Sequence, residues 1–179
     1  MPAYDVVEEF KVTEQESCTT ALLQNSTILS GSFNPIHKGH VSLLSKAYEK
    51  GLQSGDDVTG TVGRGSERFC FEMSLHNADK GFLTDEDSLF ARIKQFSQLR
   101  SMFGTEIDFA HLVLTKEPLF IGKARLLPRS CFVLGQDTYK RLLDRKYYAD
   151  SEEALKLALL EFQALETSFV VGCRADNQG

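Results

Sequence analysis

The feature that most limits the fold of this chain is a regular change of period. Short β-rich runs alternate with longer segments whose apolar residues recur at helical spacing. The runs are Ser26–Ser30 (STILS), Glu67–Leu75 (ERFCFEMSL), Ile107–Thr115, Cys131–Gly135 (CFVLG) and Ser168–Cys173 (SFVVGC). Between the first two, Val41, Leu43, Leu44, Ala47 and Tyr48 predict a helix over His37–Gly51, with Gly51 as its stop. Thr84 is placed to cap a second helix. Asp85, Glu86 and Asp87 suit its positive end, Leu89, Phe90, Ile93 and Phe96 supply its apolar face, and Gly104 closes it. Further helices are expected over Glu117–Leu127, ended by Pro128, over Asp137–Leu143 and over Ser151–Leu165. A run such as CFVLG has no polar face to show to water, and strands joined through helices pair in parallel. The chain is therefore expected to be α/β, a parallel sheet of about five strands with helices on both faces.

Composition bounds the rest. The 179 residues, 42% hydrophobic and 25% charged, fit one globular domain. We place it over residues 26–179, after an N-terminal extension, 1–25, that is helical or partly disordered. The net charge of -5 and the absence of a basic cluster argue against nucleic acid or an acidic membrane as the main partner. A small anion is still admissible, because local dipoles bind phosphate on acidic proteins. The N-terminus, MPAYDVVEEFK, has no apolar core of a secretory signal, and no apolar run reaches the roughly 18 residues of a membrane span. Cys18, Cys70, Cys131 and Cys173 form no CxxC pair, and the last three sit in apolar runs. They read as reduced core residues, which implies a cytoplasmic protein, with the nucleus as the alternative compartment. The stretch Gly51–Ser66, rich in Gly, Ser, Thr and Asp, reads as a mobile loop.

The most unusual stretch is SGSFNPIHKGH, Ser30–His40, between the first strand and the first helix. In open α/β sheets ligands bind beyond the carboxyl ends of the strands, where this loop lies. Gly31 allows close approach of the backbone, and Pro35 biases Asn34 away from helix. His37 and His40 fall on one helical face, and Gly39 between them leaves room for a large group. Unpaired backbone N–H groups and the helix dipole would draw an anion there, and the imidazoles would donate to phosphate oxygens. Three readings compete: a phosphate cradle, a metal site, and a turn with two solvated histidines. The metal reading is weaker, because no third ligand accompanies the pair.

GSFNPIHKGH resembles the GxFNPxHxGH signature of the HxGH nucleotidyltransferase superfamily. It is most similar to the nicotinamide/nicotinate mononucleotide adenylyltransferases. SLHNADKGFLTDEDSLFARIKQF and LTKEPLFIGKARLLPRSCFVLGQDTYKRLLDRKYY resemble further segments of a fungal, plant and bacterial branch, so the likeness spans roughly Thr27 to Arg174. The resemblance implies a Rossmann-like nucleotidyltransferase fold. It implies a reaction that joins ATP to a mononucleotide, releases pyrophosphate and uses Mg²⁺. Carried over, His37 and His40 would contact the ATP phosphates, with His40 stabilising the transition state. Gly31, Ser32 and Phe33 would line the cradle, Gly39 would belong to it, and Asn34 would hold the loop. Gly135 and Asp137 would meet ligand at the fourth strand's end, Asp137 through a ribose or a metal-bound water unless it merely caps the next helix. Lys80, Thr115 and Arg174 complete the expected nucleotide-binding set. The family's pattern continues into a helix with an ISSTxxR-like motif, and this chain ends at ADNQG without it. The expected domain is thus cut short at its C-terminus, and two alternatives stand: a catalytically weak nucleotide-binding relative, or another transferase such as a pantetheine-phosphate adenylyltransferase. The partners expected are ATP and a mononucleotide, and a homo-oligomer is left open.

Overall fold

Strand β1 (Thr27–Ser30) is short, yet it carries a hydrogen-bonded neighbour on each side. Thr27 stands opposite Phe69 of β2 (Phe69–Ser74) on one flank and opposite Cys131 of β6 (Cys131–Gly135) on the other. The computed structural model describes residues 25–53, 69–79, 81–82, 85–98 and 110–172. Among these, β5 (Ala110–Thr115) pairs outside β2 and β7 (Ser168–Gly172) outside β6. The strand order is β5-β2-β1-β6-β7, every pairing is parallel, and a separate two-stranded hairpin joins β3 (His76–Asn77) to β4 (Gly81–Phe82). This is an α/β, Rossmann-like sheet. Its order reverses at β1, so the crevice between the carboxyl ends of β1 and β6 is the topological switch point.

Helices cover both faces. Among the described residues they are α1 (Lys38–Gln53), α2 (Glu86–Ser97), α3 (Phe120–Leu126), α4 (Gln136–Leu142) and α5 (Glu152–Ala164), with a 3₁₀ turn at Arg145–Tyr148 before α5. The period of two sorts consecutive strand residues to opposite faces. Ile28, Cys70 and Phe132 join Ala124 of α3, Leu142 of α4 and Ala158 and Phe162 of α5. Their neighbours Leu29, Phe71 and Val133 join Leu44 and Ala47 of α1 and Phe96 of α2. Cys70 is buried in the core and Cys131 is partly buried; Cys18 and Cys173 lie outside the described residues.

Several boundaries differ from the sequence expectation, for physical reasons. Helix α1 runs past Gly51 to Gln53, because an interior glycine costs a helix only about 1 kcal/mol relative to alanine. Helix α2 starts at Glu86 with Asp85 as its N-cap, and that cap makes no side-chain hydrogen bond; Thr84, the expected cap, lies outside the described residues. It ends at Ser97, where the Gln98 N–H closes the last turn onto the carbonyls of Gln95 and Phe96; Gly104, the expected stop, lies outside the described residues. Helix α3 starts at Phe120, since Pro118 holds the preceding residue extended and Leu119 is an extended N-cap. Helix α5 is capped as its sequence suggests: the Ser151 hydroxyl accepts from the Ala154 N–H at 3.2 Å. The β3–β4 hairpin and the 3₁₀ turn were not expected. The stretch Gly51–Ser66, beyond Gln53, and residues 1–24 of the extension lie outside the described residues.

One charged pair is built into the core. Glu72 of β2 is fully buried, and its carboxylate accepts from Lys123 Nζ at 2.8 Å and from Thr115 Oγ1 at 2.6 Å. The Lys123 ammonium also lies 5.0 Å from the Phe120 ring centroid. The network ties β2, β5 and α3 together, and each partner answers the other's desolvation. Lys123→Met should strand the carboxylate and cost about 3–5 kcal/mol in urea unfolding. The double variant Glu72→Gln, Lys123→Met keeps an acceptor for Thr115 and removes both charges, so it should recover most of that loss. A double variant no more stable than the single one would show that the charge pairing is not what matters.

Candidate nucleotide-phosphate site

The ladder of β1 extends one step beyond the strand, with the Gly31 N–H donating to the Glu72 carbonyl at 3.0 Å. The chain then turns at Phe33, whose φ of 43° is in the left-handed region. Such a conformation costs a bulky residue about 1–3 kcal/mol. Burying its ring returns a similar amount. The ring is 1% exposed and meets Phe71, Phe96 and His40 edge-on, at centroid distances of 5.5, 5.4 and 5.3 Å. The Phe33 side chain therefore anchors the loop from below. Gly31 has a packing role for the same reason, since a Cβ there would sit 3.0 Å from the Phe33 ring. The Asn34–Pro35 peptide is cis.

The two histidines stack, with ring centroids 3.8 Å apart and planes 27° from parallel. His37 precedes α1 rather than lying in it. Its Nδ1 accepts from the Gly39 N–H at 3.1 Å, which makes the imidazole a cap for the helix's first turn. His40 Nδ1 accepts from the His37 N–H at 3.2 Å. The loop N–H groups expected to face an anion are thus partly turned inward onto the rings. The space above Gly39 is also filled: a Cβ there would lie 3.0 Å from the His37 ring. Donor capacity moves instead to the imidazoles. A neutral ring that accepts at Nδ1 carries its proton at Nε2. Burial, and the nearby His37, push the His40 pKa down to about 4, so His40 is neutral at pH 7. His40 thus offers a hydrogen bond rather than positive charge.

Helix α2 supports the loop. Gln95 Oε1 accepts from the Ile36 N–H at 2.8 Å, and Gln95 Nε2 donates to the Phe33 carbonyl at 3.2 Å. Arg92 Nη1 donates to the Ser32 carbonyl at 3.4 Å. Sequence reasoning passed over both residues. Polar positions on an amphipathic helix look solvated, and the Gln95 contacts cross 59 and 62 residues. Asn34, expected to hold the loop, is exposed; Ser32 is exposed as well.

Gly135 ends β6 across the switch point and is the N-cap of α4, with Asp137 exposed in that helix's first turn. Asp137 is thus not the capping residue. Thr115, expected to bind nucleotide, is buried and spends its hydroxyl on Glu72. Lys80 and Arg174 lie outside the described residues. Close to Lys80, Asp79 accepts from the Tyr147 hydroxyl at 2.9 Å and from Lys146 Nζ at 3.3 Å, which joins the segment after β2 to the 3₁₀ turn. The Tyr147 hydroxyl is the main reason that the Asp79 carboxyl sits below its usual range, followed by Lys146. Among the described residues, no group of three or more His, Cys, Asp or Glu gathers as a metal cluster, and no helix is long and apolar enough to cross a membrane.

Gly31, the stacked histidines, Gly135 and Asp137 all fall at the carboxyl ends of the two strands that flank the switch point. In an open α/β sheet that is where a ligand is bound. No family model matches the chain, and no curated protein matches it significantly.

The depressed His40 pKa carries a sign. The unfolded chain takes up this proton near the ordinary value of 6.5 and the folded chain near 4, so between those values the unfolded state holds more protons. Stability should therefore fall as the pH drops from 6.5 toward 4. Thermal midpoints at pH 7 and pH 4.5 should fall less in His40→Ala than in the unchanged protein. An equal drop in both would contradict the burial of a neutral His40.

Proposed function

We propose that this protein is an adenylyltransferase that joins ATP to nicotinamide or nicotinate mononucleotide and releases pyrophosphate. The observation that carries the reading is the stacked histidine pair at the β1 end of the switch point, each ring accepting a backbone N–H at Nδ1 and leaving Nε2 to donate. The acceptor's phosphate monoester is already ionised at neutral pH, so its oxygen needs no general base. That oxygen attacks the α-phosphorus of ATP, the new P–O bond forms, and the bond to the β-phosphate bridge breaks with its electrons passing to pyrophosphate. Catalysis then consists of holding two phosphates in line and receiving charge on the leaving group. His37 and His40 would donate to the ATP phosphates, and the dipole of α1 adds to the same field. Asp137 would meet the ribose or the nucleotide's Mg²⁺. A single exposed carboxylate beside nucleotide phosphates is a donor set that suits this cation, which supplies charge neutralisation.

A nucleotide-binding protein with little or no turnover is the second reading. It is favoured by the two loop N–H groups already engaged by the imidazoles. The test is incubation with ATP, Mg²⁺ and, separately, nicotinamide mononucleotide, nicotinate mononucleotide and phosphopantetheine, with pyrophosphate and dinucleotide measured. Product is expected with a nicotinamide-type acceptor, and His40→Ala should lower kcat by about 100-fold or more, as loss of a transition-state donor does. Binding without product supports the second reading, product only with phosphopantetheine reassigns the acceptor, and no binding of any nucleotide refutes both.

A further inference from the structure

Helix α2 addresses the histidine loop with one face. Arg92, Gln95 and Phe96, spaced three and four apart, reach Ser32, the Phe33–Ile36 backbone and the Phe33 ring respectively. Gln95 is the most specific of the three. Its carboxamide reads one donor and one acceptor on either side of the Asn34–Pro35 pair, so its oxygen and nitrogen cannot be exchanged without losing both bonds. A second contact from Nε2 to the Arg92 carbonyl at 3.4 Å fixes the amide against its own helix. The peptide it orients ends at Ile36, and the next N–H along the chain, that of His37, is the donor to His40 Nδ1. The orientation of one peptide thus passes to the next, and from there to an imidazole.

We propose that Gln95 is a positioning residue for the histidine pair. By fixing the Phe33–Ile36 backbone, it keeps the His37 N–H on His40 Nδ1 and so holds the ring as its Nε2–H tautomer. Its consequence for turnover rests on the adenylyl-transfer reading above; its consequence for the imidazoles does not. A brace that served only stability would alter the melting temperature and leave the tautomer unchanged.

The experiment records the imidazole ¹⁵N resonances of the full chain in Gln95→Ala, Gln95→Met and Gln95→Glu, with kinetics on the same samples. Phe162→Leu, in the core on the opposite face of the sheet, is the control for lost stability. In the unchanged protein the His40 signals should be those of a ring protonated at Nε2. In Gln95→Ala and Gln95→Met they should move toward the average of the two tautomers. Gln95→Glu keeps the acceptor for Ile36 and should move them less. The control should leave them in place while lowering the melting temperature. Where turnover is measurable, kcat should drop roughly 10- to 100-fold in Gln95→Ala, with a much smaller change in KM for ATP. Folded variants with unmoved imidazole signals would overturn the proposal, and so would failure of all three to fold, which would make Gln95 a folding residue. Moved signals in a protein that turns over no acceptor would keep the positioning role and defeat the adenylyl-transfer reading.

Discussion

The packing of the Phe33 ring against Phe71, Phe96 and His40 is the contact on which the candidate site depends. It turns the chain downward just past β1, at the one residue of the loop with a left-handed backbone. Gly31 is needed because the ring lies against it. His40 is half-buried because it shares that ring's surroundings, and burial is the larger cause of its lowered pKa. A loop that reads as a polar, ligand-facing segment is thus organised from its apolar underside. The chemistry offered to solvent follows from a choice made inside the core.

The sheet around it is held by two kinds of polar contact that differ in environment. The Glu72–Lys123–Thr115 network is sealed from water and fixes the β2–β5 side to α3. The Asp79–Tyr147–Lys146 contacts are exposed and join segments that follow β2 and β6, the two neighbours of β1. Exposed pairs contribute about 0–1 kcal/mol and are screened by salt, whereas a buried pair is costly to break. The foundation of the crevice is therefore insensitive to ionic strength, while the tie beside it is not.

The strands were legible because runs such as CFVLG are apolar on both faces, which leaves a covered parallel strand as their main solution. The helices were legible from their period, although their ends were not: Gly51 read as a stop, yet α1 runs past it, and α2 closes at Ser97. The β3–β4 hairpin was illegible because two-residue strands have no period to detect. At the site, the loop stood out through its glycines, proline and histidines, but the sequence could not say what the glycines make room for. A Cβ at Gly31 would meet the Phe33 ring, and one at Gly39 the His37 ring. Thr115 looked like a strand-end ligand because its partner, Glu72, is distant in sequence and carries no mark of burial. Gln95 shows the same limit. Its role exists only once a helix some sixty residues away is packed against the loop.

The two backbone hydrogen bonds to His37 and His40 Nδ1 bear on an ambiguity the sequence left open, between a metal and a phosphate. A neutral imidazole that binds a metal through Nε2 must carry its proton on Nδ1. Here each Nδ1 faces a backbone N–H, and a proton there would point at another proton. A cation could take these rings through Nε2 only by breaking these backbone hydrogen bonds or by stripping the rings to imidazolate. The loop therefore discriminates by the polarity of its hydrogen bonds: it accepts groups that bring lone pairs and resists groups that need them.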